Sequence, residues 1–308
     1  MKLPLLFCTS LLVMAMTGLA RIFHQNAVIF PEVAALTFGA WAMHSRPWMA
    51  TNFSLWFSPT LAAVTGVLIW HFIPAPLPVQ IAIAFLCVLA ELWVMRSALL
   101  PSISAAILPL VTGDAGWIYP VAVGLLMSVV AVGGYLLERS GNGNYSTEKL
   151  IPRQHVALER QAMVSLVRWG KILALVLVVA ILSLLTDWKF AIAPPLIIAC
   201  IEFVNPGSKL RRRPFHLYGL IVLSASAGTL FISMARQGIL PFWLAAGLAT
   251  CIVYLLYWRM ALPCPPAIAL AVLPAIVPPA LLPAYPLHIA VGCAVFFMGG
   301  SLLFRNVA

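Results

Sequence analysis

Four short apolar stretches, each opened by proline, constrain this chain more than any other feature. They cover residues 31–43, 101–112, 194–204 and 264–274, the last opened by the pair Pro265-Pro266. Proline is tolerated at the first helical position because that N–H has no intrahelical partner. Each stretch therefore reads as a short helix, too apolar for a loop and too short for a comfortable bilayer crossing. Pro31 and Pro194 are 163 residues apart, and Pro101 and Pro265 are 164 apart. A fixed offset of about half the chain is the mark of an internal duplication.

The surroundings place these stretches in lipid. The chain is 63% hydrophobic and 8% charged, against roughly 25% charged for a soluble domain. The net charge of +10 then points to lysines and arginines facing anionic lipid rather than to a nucleic-acid partner. Cys8, Cys87, Cys200, Cys251, Cys264 and Cys293 all fall in apolar runs without a Cys-x-x-Cys pair. They are expected to be reduced, buried, small hydrophobes rather than disulfides or metal ligands. Residues 3–20 follow Lys2 and precede Arg21 in the manner of a signal peptide. The second half opens with its own apolar run, 172–185, so the first is read as a retained helix.

Long and short segments alternate in a regular order. The first half gives 3–20 (long), 28–43 (short), 54–73 and 78–95 (long), 99–112 (short) and 117–137 (long). A polar connector, 138–170, is expected to hold a flexible loop and an interfacial helix. The second half gives 172–185, 190–204 (short), 215–235, 240–258, 263–277 (short) and 282–304. If all segments cross and the N-terminus is cytoplasmic, 15 of the 18 lysines and arginines lie on the cytoplasmic side. Only Arg21, Lys189 and Arg236 lie opposite. Re-entrant short segments would divide the same residues evenly, so the positive-inside rule favours twelve crossings.

The expected fold is an all-α polytopic membrane protein with two homologous six-segment halves. The domains are 1–137 and 171–308, joined by the cytoplasmic connector 138–170. An even count per half relates the halves in parallel, and an odd count per triplet inverts the triplets within each half. In secondary transporters, short or proline-interrupted segments at matching positions mark the solute site. Prolines that merely kink structural helices are the alternative.

The run Cys264-Pro265-Pro266-Ala267 through Leu273-Pro274 resembles the signature His-Pro-Pro-Ala-Gly-Ala-Thr-Ala-Leu-Leu-Pro of the HPP family of integral membrane proteins. Phe30-Pro31-Glu32-Val33, Ala193-Pro194-Pro195-Leu196, Asn205-Pro206-Gly207-Ser208 and Pro214-Phe215-His216 are similar to that family's earlier blocks. Gly66 and Gly228 match a glycine on the following helix, and Arg96 and Arg259 an arginine ahead of the signature. Leu99 and Cys264 stand where the signature has histidine, and Leu100 replaces one proline. The resemblance covers about 1–137 and again 171–306, as a tandem double copy. It implies transport of a small anion, since a chloroplast nitrite transporter belongs to the family.

Ionisable residues inside lipid are costly and are functional candidates by default. Glu32 follows Pro31 in the first turn of a short helix, where the helix dipole favours a carboxylate. It reads as a proton-coupling site or an interfacial cap. Glu91 lies five residues before Arg96 and reads as a proton carrier or an ion-pair member. Glu202 is the third proton-coupling candidate, with pairing to Arg211-Arg212-Arg213 as the alternative. That arginine run reads as a lipid anchor or as an electrostatic funnel. Asp114 and Asp187 fall in outer loops. The candidate solute-binding residues are Arg96, Arg259, Cys264, Pro265, Pro266, Pro101, Ser102, Pro194 and Pro195. An arginine beside a helix N-terminus with free N–H groups would make a two-part anion site.

No metal spacing, hydrolase triad or phosphate loop is present in the sequence, so neither an enzyme nor a cofactor is expected. The expected function is a transporter or channel for a small, anionic solute. The competing class is a non-transporting membrane scaffold or assembly partner in a cell-envelope complex. The expected partners are the lipid bilayer, a small solute and a second copy of the chain. The expected location is a bacterial inner membrane with both termini cytoplasmic.

Overall fold

A computed structural model describes residues 3–43, 48, 50–140 and 165–305. The described residues are mostly helical, without a strand, and eight helices are long and apolar enough to cross a membrane. In chain order the helices are α1 (Leu3–Ile22), α2 (Glu32–Thr37, continuing as a π-helical turn to Ala42), α3 (Asn52–Phe72) and α4 (Leu77–Val94). Then come α5 (Pro101–Thr112), α6 (Ile118–Arg139), α7 (Leu166–Thr186) and α8 (Pro194–Phe203). The last four are α9 (Pro214–Arg236), α10 (Phe242–Met260), α11 (Pro265–Val272) and α12 (Tyr285–Leu303). The order long, short, long appears four times, as the sequence predicts.

Boundaries differ where local chemistry overrides hydropathy. Helix α7 starts at Leu166, six residues before the apolar run, because the Ser165 hydroxyl caps it by accepting from the Arg168 N–H. Its charged first turns are accommodated at the bundle end: Arg168 donates to Asn205 and Lys171 to the Leu303 carbonyl. Helix α12 starts at Tyr285, three residues after the predicted start, since Pro278, Pro279 and Pro283 break the chain into 3₁₀ turns first. The loop and interfacial helix expected in the connector lie outside the described residues, apart from the α6 end and the α7 start. Only three cysteines are buried (Cys200, Cys264, Cys293), while Cys8, Cys87 and Cys251 face outward. Lipid tails are as apolar as a core, so an outward cysteine on a spanning helix meets no penalty for being apolar.

The short helices form a closed ring at the centre. α2 packs against α5 and α11, and α8 packs against the same two. At 1.5 Å per residue each is well short of a hydrocarbon core about 30 Å thick. The missing length is made up by 3₁₀ turns such as Asn26–Val28, Lys189–Ile192 and Leu273–Ala275. Irregular backbone survives at membrane depth only where protein shields it, and Ile29, Phe30, Phe190, Ala193, Leu273 and Ala275 around these turns are all buried.

The long helices enclose this ring in a duplicated pattern. In the first half α3 packs on α4, α5 and α6, and in the second α9 packs on α10, α11 and α12. Between halves, α1 lies on α10 and α4 on α7. Three glycines, Gly66, Gly228 and Gly292, permit the closest approach, the last with a Cβ that would stand 2.1 Å from the Ala191 carbonyl oxygen. A Cβ on Gly66 would stand 2.2 Å from the Ala106 carbonyl oxygen, and one on Gly228 would stand 2.1 Å from that of Ala271.

A second duplicated device answers the prolines inside the short helices. Pro109 has no N–H for the carbonyl of Ala105, four residues earlier, and the Tyr119 hydroxyl donates to that carbonyl at 2.8 Å. Pro274 likewise leaves the Leu270 carbonyl, which takes its hydrogen bond from Tyr285 at 2.9 Å. Each tyrosine also meets a phenylalanine edge to face, Tyr119 with Phe30 and Tyr285 with Phe190.

Candidate functional site

Glu32 lies inside the ring. Its side chain is 2% exposed, and one carboxyl oxygen accepts from the Ser104 hydroxyl on α5. The other oxygen is buried without a hydrogen-bond partner. Tyr119 and Tyr285 both stand within electrostatic reach of this carboxyl. An ionisable group in such surroundings is expensive to keep unless function requires it. No cation pairs with Glu32 among the described residues.

A cavity of about 180 Å³ opens at the end of the bundle where α5 stops and α6 starts. Its polar lining is Asn26, Thr112, Asp114 and Tyr119, and Ile29, Leu108, Pro109 and Ile276 supply apolar wall. Tyr119 connects this vestibule to the ring. Its ring lines the vestibule and abuts Phe30, and its hydroxyl reaches Ala105, next to Ser104.

The other carboxyl candidates have neutral partners. Glu91 accepts from Thr65 on α3, and its second oxygen is buried without a partner. Glu202, at the far end of α8, does not pair with Arg211, Arg212 or Arg213. It accepts instead from the Trp48 indole at 3.2 Å, because Trp48 is buried on the approach to α3. Arg211 turns to the Phe304 carbonyl at 2.5 Å. Tyr257 and Cys264 also stand within electrostatic reach of Glu202.

The expected solute-binding residues separate into two groups. Pro101, Ser102, Pro194, Pro195, Cys264, Pro265 and Pro266 are buried in the ring or at its helix starts. Arg96 and Arg259 are exposed at the ends of α4 and α10. At each helix start at least one of the N–H groups expected to be free is already used. Val33 donates to Phe30 at 3.0 Å, Ser102 to Leu99 at 3.0 Å, Leu196 to Ala193 at 2.8 Å and Ala267 to Cys264 at 2.9 Å. These 3₁₀-type bonds satisfy donors that a buried helix start cannot leave to water. Ser102 is the exception on the side-chain side, its hydroxyl buried and without a partner.

Sequence reasoning missed Ser104, Tyr119, Tyr285, Asn26 and Thr112, and it read Asp114 only as a loop residue. Comparison with protein-family models, characterised proteins and solved structures gives no match for this chain.

Proposed function

We propose that this membrane protein is a secondary carrier for a small solute, with Glu32 as the station that holds a transported proton inside the ring. The supporting observation is a nearly fully buried carboxyl at the meeting of α2 and α5, with a hydroxyl partner on one oxygen and none on the other. Nested, inverted triplets around proline-opened short helices agree with this reading, as does the resemblance to the HPP family. The ring supplies carboxyl and hydroxyl groups, and some of its helix-start donors are already used. The four short helices carry no lysine or arginine, so a bare anion would meet no cation there to offset its desolvation. The anion that the resemblance implies therefore crosses with a proton, electroneutrally, as a weak acid such as nitrite can.

The test is proton flux in proteoliposomes carrying a luminal pH dye. Imposed gradients of nitrite, formate, acetate and chloride are compared with protein-free vesicles. A weak-acid gradient should drive proton entry without charge movement, and Glu32→Gln should return the flux to the protein-free level. A Glu32→Gln protein that matches the parent, or an anion that moves with net charge, overturns the reading.

A scaffold is the second reading, favoured by the dry glycine contacts of Gly66 with Ala106 and Gly228 with Ala271. It predicts no flux above background for any solute and no effect of Glu32→Gln.

A further inference from the structure

The duplication supplies the frame and its tyrosines twice, but the carboxyl groups Glu32 and Asp114 only once. The position 163 residues after Glu32 is Pro195, and the position 164 after Asp114 is Pro278. The buried carboxyl and the polar-lined vestibule thus belong to the same half, and Tyr119 stands between them. We propose that the vestibule is the loading site for the solute, with Asp114 setting its charge preference and Tyr119 forming its floor. This inference rests on the carrier reading above and names the class of solute that the site admits.

The lining decides the class. Asp114 brings a carboxylate, Asn26 an amide, and Thr112 and Tyr119 hydroxyl oxygens, while among the described residues no lysine, arginine or histidine lines the cavity. A preformed anion entering here meets a like charge inside the cavity, and Arg236, the cation beside Ile276, is turned to the Pro274 and Val277 carbonyls. A small solute that arrives uncharged or cationic and offers a hydrogen-bond donor meets acceptors. For a weak acid, that is its protonated form. The floor is well defined: Tyr119 is almost wholly buried, its ring pressed on Phe30 and its hydroxyl fixed on Ala105. A solute passes to Glu32 only when this ring moves aside.

Both parts are tested on detergent-purified protein with charged thiol reagents, independently of any transport assay. Cys8, Cys87 and Cys251 are first replaced by alanine, leaving the buried cysteines in place. Thr112→Cys is then labelled with a trimethylammonium-bearing and with a sulfonate-bearing methanethiosulfonate reagent, each rate normalised to a free thiol. The cationic reagent should react about tenfold faster, as one nearby carboxylate in partly screened surroundings dictates. Asp114→Asn should bring the ratio close to one. A ratio near one in the parent, or one unchanged by Asp114→Asn, refutes the charge preference.

For the floor, Leu108→Cys in the vestibule wall should label in folded protein, and Ser104→Cys one turn deeper should not. Tyr119→Ala should open Ser104→Cys to the reagent. It is made together with Pro109→Ala, which returns an N–H to the Ala105 carbonyl and guards against misfolding. A Ser104→Cys thiol that reacts in the parent, or that stays closed in the folded Tyr119→Ala protein, refutes Tyr119 as the floor. These outcomes are separate from that of Glu32→Gln. Charge-selective labelling with a silent Glu32→Gln would leave the vestibule standing and remove the proton station.

Discussion

Removing the Tyr119 hydroxyl should destabilise the protein by an amount that depends on Pro109. The Ala105 carbonyl has no donor at the expected position because residue 109 is proline, and Tyr119 supplies one at 2.8 Å. In Tyr119→Phe the aromatic contact with Phe30 is kept, and only this hydrogen bond is lost. The loss has two parts. A net hydrogen bond contributes about 1 kcal/mol, and a buried carbonyl left without a donor costs about 1–3 kcal/mol when the two are counted together as one truncation. We expect about 2 kcal/mol. In a Pro109→Ala background the helix can close its own bond to Ala105, so the same Tyr119→Phe change should cost about 0.5 kcal/mol. The coupling energy is then about 1.5 kcal/mol, well above the few tenths seen for independent sites. Reversible unfolding in mixed micelles with increasing SDS measures all four proteins of the cycle. The pair Tyr285 and Pro274 should give a second cycle of similar size, since Tyr285 donates to Leu270 at 2.9 Å. If Tyr119→Phe costs the same with and without Pro109, the proline does not explain the tyrosine, and the duplicated brace has another origin.

Two further outcomes follow from the packing and the charge pattern. Gly66→Ala and Gly228→Ala should each destabilise by about 2 kcal/mol or more, because a Cβ would stand 2.2 or 2.1 Å from a backbone carbonyl oxygen that cannot rotate away. Melting of both proteins at parental temperature would show that the helices separate freely there. Single cysteines near Ala115 and Gln237 should label from outside intact cells, while one at Ser208 should label only after the membrane is opened. Outside labelling at Ser208 would restore re-entrant short segments and remove the inverted triplets.

The fold was legible because its punctuation is covalent. Proline opens α5, α8, α9 and α11 at the first or second helical position, and the alternation of long and short runs needs only hydropathy. What hydropathy cannot tell is which face of a spanning helix points inward, since lipid and core are equally apolar. Cys8, Cys87 and Cys251 were read as buried for that reason. Glu32 stood out in the sequence as a charge in an apolar stretch. Ser104 and Tyr119 did not, because serine and tyrosine are at ease in spanning helices. A signal for the tyrosines was present all the same. Tyr119 follows Pro109 by 10 residues and Tyr285 follows Pro274 by 11, and a proline inside a short helix always leaves a carbonyl to be satisfied. The vestibule had no such signal. A cavity is space that side chains from four separate segments fail to fill, and Asp114 beside it looks like any solvated loop residue.

The difference between the halves bears on stoichiometry. Each half contributes a tyrosine to the surroundings of one carboxyl, so Tyr119 and Tyr285 both lie within reach of Glu32. A second carboxyl at the matching position would put two like charges into one apolar ring, and the two could not both ionise there without a large penalty. The chain has Pro195 at that position, which opens a helix and carries no charge. Glu202, the carboxyl that the second half does own, sits at the opposite end of its short helix and is held by Trp48 from the first half. On the carrier reading, Glu32, the one carboxyl residue buried among the described residues, holds one proton per cycle. The carrier reading therefore implies one proton for each solute molecule, and a flux ratio of two would place a second titrating group on the route, with Glu202 on α8 as the first candidate.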